Sequence, residues 1–461
     1  MTTMTIADRR NNMSVIAAGV ALGVLYTLSP LTVLCTAVLC VATWWAGRDL
    51  TYRERQFFFS FLTLAIAARL LVIAGLFLFA DPARPFGTFF GDEEIFKSRT
   101  IWLRNVGLGV PISSADVIYA FSETGMSGHL YVLAYLQALV GDAPYGLHVF
   151  NAAVYVVSTL IMFRVIRPSY GRTAAMGGLA LLLFLPSLFS WSISALKEPF
   201  YTLLAVLELV CVIQVVRAPR VWQRALAAAA VVVSAFLLEE LRKGGMQVAA
   251  IGGVAGLGAG LTITRPRLAV AAAVAVVLVL AAGLSRPSVQ HRLLELARDS
   301  ATYHSGHVLT PGYSYKTLEG RYYLERLAIR EMPAREAAAF AVKSVISYVV
   351  EPLPWKSESR ALLAYLPEQI LWLVTIALVP FGLAAGLRRD PLLTCVLGAH
   401  ALAVMLMVAL TSGNIGTLIR HRGLALTYLA WLAALGAVAV AGWLTRTPTA
   451  ASEGTNLHGD R

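Results

Sequence analysis

What most limits the fold of this chain is its series of long, uninterrupted apolar blocks. Most run about 17 to 25 residues, the length a helix needs to cross a hydrocarbon core of about 30 Å. Inside a bilayer a segment must satisfy its own backbone hydrogen bonds, so each block is expected to be a helix. Composition agrees: over 461 residues, 58% are hydrophobic and only 14% charged. Soluble domains carry about 25% charged residues, so this chain lacks the charge to coat a water-facing surface. The expected fold is all-α, a polytopic integral membrane protein of about a dozen transmembrane helices, with interfacial helices on the outer side.

Charge placement sets the expected topology. The first block, Met13 to Gly47, is too long for one helix, and Pro30 near its middle suggests a hairpin of 14–28 and 30–46. Arg9 and Arg10 precede it, and Arg48, Arg53 and Arg55 follow. Positive residues favour the cytoplasm, so both flanks lie inside and the block crosses twice. A third span at 57–80 leads outward; others follow at 145–165, 173–190, 199–216, 222–239, 246–263 and 268–284, then 361–386, 391–411 and 423–444. Both termini are then inside. The inner connections hold Arg164, Arg167 and Arg172; Arg217, Arg220 and Arg224; Arg265 and Arg267; Arg388 and Arg389; and Arg446. The chain divides into 1–80, a first outer loop 81–144, six spans in 145–284, a second outer loop 285–360, three spans in 361–444 and a polar tail 445–461 expected to be disordered. The second outer loop is also Arg-rich, but long loops translocate largely regardless of charge.

The formal charge of +12 follows from these inner arginines, so no nucleic-acid partner is expected. The four cysteines, Cys35, Cys40, Cys211 and Cys395, all lie in apolar blocks as small packing residues, without metal-ligand spacing. No cleavable signal and no internal repeat is expected, which disfavours an inverted-repeat transporter. The short apolar stretches 128–141 and 333–350 read as re-entrant or membrane-surface helices.

The chemistry-bearing residues cluster on the outer side. Asp92, Glu93 and Glu94 stand together just beyond the third span. Adjacent carboxylates repel unless a cation, a proton or a substrate hydroxyl offsets them, which suits a general base or a divalent-metal site held by Asp92 and Glu93, with Mg or Mn as the ion. A solvated acidic turn is the plainer alternative. Cations mark the outer helix ends: Lys197 beside Glu198, then Arg242 and Lys243, then Arg420, His421 and Arg422. Gathered in one cavity they would hold a phosphate or pyrophosphate, Arg offering bidentate hydrogen bonds. Separately they are snorkelling anchors, or pair locally, as Glu239 or Glu240 with Arg242. His304 and His307 have ligand-like spacing but no third partner, and lining of the loop is the favoured role. Tyr313, Tyr315, Tyr322 and Tyr323 could stack on sugar rings or form an interfacial belt, with Trp355 a further anchor. Arg69 is the one strongly intramembrane charge, suited to neutralising an acid elsewhere in the bundle.

The layout resembles the lipid-linked, multi-spanning glycosyltransferases of the GT-C class, with FFGDEEIF in the position of their acidic motif at the start of the first outer loop. GHLYVLAYLQALVGDAPYGLHVF resembles the interfacial helix and turn that follow, and LPSLFSWSISALKEPFYTLL a later span begun by a cation and an acid. EPLPW and GTLIRHRGLALTYLAWLAALG resemble parts of bacterial membrane proteins of surface-polysaccharide synthesis. Two extra spans precede the acidic loop here, and the usual acidic pair is a run of three. The resemblance implies a polyprenyl-phosphate sugar donor, a glycan or lipid acceptor, and a bacterial cytoplasmic membrane location with the active site outside. It makes Asp92 or Glu93 the base on the acceptor hydroxyl, with Glu94, Tyr313 and Tyr315 near acceptor or sugar. It assigns the leaving phosphate to Lys197, Arg242, Lys243, Arg420, His421 and Arg422. Two other classes compete: an O-antigen or exopolysaccharide polymerase or ligase acting on undecaprenyl-diphosphate glycans through its arginines, and a non-enzymatic transporter or assembly subunit. Transport would need polar residues in mid-span, and the sequence offers few.

Overall fold

The computed structural model describes residues 30–79, 91–122, 127–141, 146–310, 312–353 and 360–445. The first arm of the expected hairpin, Phe89, Phe90, Trp355 and the C-terminal tail lie outside these. Among the described residues the secondary structure is helical, apart from one isolated bridge between Ser314 and Asn414.

The helices are α1 (Pro30–Ala46), α2 (Tyr52–Leu78), α3 (Gly91–Gly107), α4 (Ser114–Ala120), α5 (Gly128–Val140), α6 (Gly146–Tyr170), α7 (Arg172–Phe184), α8 (Pro186–Ser192), α9 (Glu198–Arg217) and α10 (Val221–Leu241). They continue as α11 (Gly245–Thr262), α12 (Pro266–Leu284), α13 (Pro287–Val308), α14 (Arg321–Leu324), a 3-10 turn at Arg326–Glu331, α15 (Ala334–Val350), α16 (Arg360–Arg389), α17 (Pro391–Thr411) and α18 (Ile415–Leu444). Pro186, Pro199, Pro266, Pro287 and Pro391 stand in first turns, where a missing N–H breaks no helical bond.

Among the described residues nine helices are long and apolar enough to span a membrane, and α7 with α8, bent by 63° at their break, make a tenth as a pair. The chain is a polytopic membrane protein. Each expected span from residue 30 onward coincides with a helix, but the last begins at Ile415 rather than 423. The reason is a cap: the Asn414 side chain accepts from the N–H groups of Gly416 and Thr417, supplying partners for two donors that have none in the helix. Arg420, His421 and Arg422 therefore lie inside the helix, where they are bonded, and have no need to precede it.

Ion pairs tie one end of the bundle together. Arg164 meets Asp49 at 2.6 Å, Arg167 meets Glu54 at 2.9 Å, and Arg217 meets Asp390. These groups stand at the turns into α2 and α17 and at the ends of α6 and α9. We call this the basic end, and the opposite one the Asp92 end.

Between helices in lipid there is no hydrophobic drive, so close contact depends on small residues. Along α11, Gly252, Gly256 and Gly260 form a stripe against α17: a Cβ at Gly256 would lie 2.6 Å from Cα of Val396. Where α16 crosses α18, a Cβ at Gly382 would lie 1.8 Å from the Leu432 carbonyl oxygen, and one at Gly436 2.1 Å from that of Leu378.

In the second outer loop the expected stretch 333–350 is the helix α15. The α13–α15 region shares a small apolar core of Ala301, Tyr322, Ile329, Met332 and Phe340. The stretch 128–141 is the short apolar helix α5, with Leu130 and Ala134 packed on Leu103 of α3 while Tyr135 and Leu139 stay exposed.

Candidate functional site

The acidic run forms the first turn of α3, where carboxylates meet the positive end of the helix dipole. Successive helical side chains diverge by about 100°, so the run divides. Asp92 is 65% exposed and accepts from Arg420 Nη1 at 2.9 Å. Glu94 is exposed as well. Glu93 is fully buried; the Ala195 N–H donates to its Oε1 at 2.7 Å, and its Oε2 lies 3.6 Å from His148 Nε2.

That bond explains the irregular backbone between α8 and α9. Non-helical chain at membrane depth is tolerated only where protein satisfies its polar groups. Asn151 Nδ2 donates to the carbonyls of Ser194 at 2.6 Å and Leu196 at 2.8 Å, and His129 Nε2 bonds the Ala195 carbonyl at 3.2 Å. Burial lowers the His129 imidazole to about 4, so at neutral pH the ring is uncharged. The bend before this segment has its own support. Arg69 Nη2 donates to the Leu183 carbonyl and Nε to Ser192 Oγ, both at 2.9 Å, with Phe189 under the guanidinium. The expected acid partner of Arg69 is thus replaced by the open end of a broken helix.

The segment so held delivers Lys197 and Glu198 to the Asp92 end. Arg420 bridges two carboxylates there, with Nε 2.7 Å from Glu198 Oε1 while Nη1 holds Asp92. The Trp191 ring lies 5.5 Å from this guanidinium. Arg242 Nη2 meets His421 Nε2 at 2.5 Å. It does not pair with Glu239, whose Oε2 accepts from the N–H groups of Gly244 and Met246. Lys197 has no hydrogen-bonding or ion-pair partner among the described residues, and Glu198 Oε2 accepts no hydrogen bond there. Burial, helped by the charges of Arg242 and Arg420 and opposed by Glu198, brings the Lys197 ammonium down to about 8. A narrow crevice of about 10 Å³ lies beside Glu198 and Arg420, lined by Tyr155, Trp191, Ser192, Glu198, Thr202 and Arg420.

The other expected residues fall elsewhere. Arg422 is buried against the end of α15: Nε donates to the Tyr348 carbonyl at 3.0 Å, Nη2 to that of Glu351 at 2.5 Å, and Nη1 to Gln369 Oε1 at 2.9 Å. Every donor group of that guanidinium is engaged. Lys243 is exposed. Tyr315 is buried, its hydroxyl donating to the Ser412 carbonyl at 2.8 Å, whereas Tyr313 is 47% exposed. Tyr322 and Tyr323 are core residues rather than a surface belt. His304 and His307 bond the carbonyls of Ser412 and Thr411 at 2.5 and 2.7 Å, and His304 Nε2 meets Thr317 Oγ1 and Tyr323. They lock the second outer loop to the C-terminal end of α17, and burial holds the His304 imidazole near 4.

Asp92 and Glu93 face different surroundings, and among the described residues no three His, Cys, Asp or Glu side chains converge to hold a metal. The Asp92 end thus gathers the exposed carboxylates Asp92 and Glu94, the buried carboxylates Glu93 and Glu198, and several cations, Lys197, Arg242 and Arg420 among them. The sequence reading missed the work of Asn151 and His129, whose one signal was a polar side chain inside an apolar stretch. No family model matches this chain, and no curated protein or solved structure matches it.

Proposed function

We propose that the Asp92 end is the active site of a transferase that moves a sugar from a polyprenyl-phosphate donor to an acceptor hydroxyl. The observation that carries this reading is that Arg420 holds Asp92 and Glu198 together while Lys197 stands beside them without a partner among the described residues. The acceptor oxygen attacks the anomeric carbon as its proton passes to the exposed Asp92 carboxylate. The bond from that carbon to the phosphate oxygen breaks, its electron pair stays on the phosphate, and the anomeric centre inverts. Lys197, Arg242 and Arg420 meet charge where it grows in the transition state. Glu93 is assigned the supporting part of holding the Ala195 peptide. The short inner connections place their arginines at the basic end, which supports a cytoplasmic basic end and an outer site in a bacterial cytoplasmic membrane.

Asp92→Asn is expected to lower transfer about 100-fold, the scale of a lost general base, at unchanged abundance. The assay gives a panel of polyprenyl-phosphate sugars to membranes holding equal amounts of wild type and variant. Transfer at the wild-type rate by Asp92→Asn would remove the base from the mechanism.

A pH profile tests the phosphate side. Lys197 is charged below about 8 and neutral above, and a phosphate monoester already carries its second charge by then. Affinity for a short-chain polyprenyl phosphate should fall about tenfold as pH rises through that value, the worth of one charge-assisted hydrogen bond. Lys197→Arg, charged throughout, should flatten the profile. A profile equally steep in both proteins excludes Lys197 as the phosphate ligand.

A further inference from the structure

The middle of the bundle, away from the Asp92 end, holds an ionisable pair that the sequence reading passed over. Glu208 stands near the centre of α9 and His400 near the centre of α17, one with no exposed surface and the other 1% exposed. Ionisable groups at that depth are costly and usually functional. His400 Nε2 lies 2.8 Å from Glu208 Oε2, and His400 Nδ1 lies 2.8 Å from the Val396 carbonyl oxygen.

Hydrogen-bond polarity counts the protons. A carbonyl oxygen only accepts, so Nδ1 carries a hydrogen. The other ring nitrogen then faces a carboxylate oxygen, and two acceptors at bonding distance require one proton between them. The opposite tautomer would let Nε2–H donate to the carboxylate, but it would aim the Nδ1 lone pair at a carbonyl and leave a net negative charge in an apolar interior, which is costly. The pair therefore holds one proton and is neutral overall, whether written as imidazolium with carboxylate or as imidazole with carboxylic acid.

Its surroundings are tight. A Cβ at Gly252 of α11 would lie 2.5 Å from the His400 ring, and one at Gly253 3.4 Å from Glu208 Oε1. That oxygen is buried and has no hydrogen-bond partner among the described residues. The titratable groups facing the pair are Tyr428 of α18, with ring centroids 5.4 Å apart from His400, and Tyr201 and Cys211 on α9 itself. Helix α11 presents the two glycines.

We propose that Glu208 and His400 form an intramembrane proton-binding site, which holds one proton between α9 and α17 and surrenders it when the two helices separate. The proposal is independent of the transferase reading. Glu208→Gln tests it, because the amide N–H can still donate to His400 Nε2 while the pair then holds no extra proton. Purified protein in detergent, weakly buffered near pH 8 with an indicator dye, is unfolded and the protons released are counted. Once separated, Glu and His titrate near 4.3 and 6.5 and keep no extra proton at that pH. Wild type is expected to release about one proton more than Glu208→Gln; equal release overturns the proposal. Should the variant fail to accumulate, nitrogen-15 histidine spectra of the wild type decide: a protonated Nδ1 on His400 supports the site, and a deprotonated one overturns it.

Discussion

Replacing Arg420 with glutamine is expected to abolish transfer and to weaken the fold in a single step. Arg420 is 14% exposed, and its guanidinium joins Asp92 to Glu198, whose side chain is only 7% exposed. Without it Glu198 becomes a buried carboxylate with no bonded cation, only the charges of Arg242 and Lys197 nearby. Removing one partner of a buried pair typically costs about 3 to 5 kcal/mol, because the remaining charge is left uncompensated. The chemical loss adds to this. A guanidinium that meets developing phosphate charge contributes about 10³-fold or more, so Arg420→Gln should fall further than Asp92→Asn. Thermal unfolding and transfer measured on the same preparation separate the two effects. The double variant Arg420→Gln with Glu198→Gln removes both charges and should regain stability without regaining transfer. Wild-type activity in Arg420→Gln would end the case for the site.

The second large effect concerns packing. Gly436→Ala should deplete the folded protein at least tenfold in the membrane, as should Gly382→Ala. The new methyl carbon would stand 2.1 Å from the Leu378 carbonyl oxygen in the first case and 1.8 Å from that of Leu432 in the second. A flexible side chain can move aside, but a helical carbonyl cannot without parting α16 from α18. Close-packed interiors tolerate extra volume poorly, at about 1 to 3 kcal/mol for ordinary overpacking, and a backbone collision lies beyond that range. Gly258→Ala is the control, since a Cβ there meets nothing within 4 Å; it should stay within about 0.5 kcal/mol of wild type. Abundance after membrane extraction is the readout, and equal amounts of all three variants would refute the close crossing.

The spans were legible because hydrophobic length reports directly on bilayer thickness. The meeting of Asp92 with Arg420, 328 positions apart, was only a hope in the sequence. What sequence could not distinguish was a cation aimed at a ligand from a cation aimed at a helix end. Arg69, Arg99, Arg298, Arg389 and Arg422 each donate to backbone carbonyls, several of them at or near a helix C-terminus, where the last turn leaves acceptors without intrahelical donors. Arg420 and Arg422 are two residues apart and look alike in sequence. Helix rotation sends one to the carboxylates and the other to the end of α15. Glu93 was equally opaque, since its partner is a peptide N–H and no letter in the sequence marks which one. The Glu208–His400 pair escaped for another reason: each residue lies alone in its own apolar block, and the two are 192 positions apart.

The pinning of the Ser192–Lys197 stretch has a consequence for how a head group would be captured. Segments that order only on binding charge that entropy to the affinity and slow the approach. Here Glu93, Asn151 and His129 hold the backbone from within the protein, so the ordering is complete before any ligand arrives. Capture would then proceed in one kinetic phase, set by lateral diffusion of the lipid, and a tighter ligand would reveal itself through slower departure.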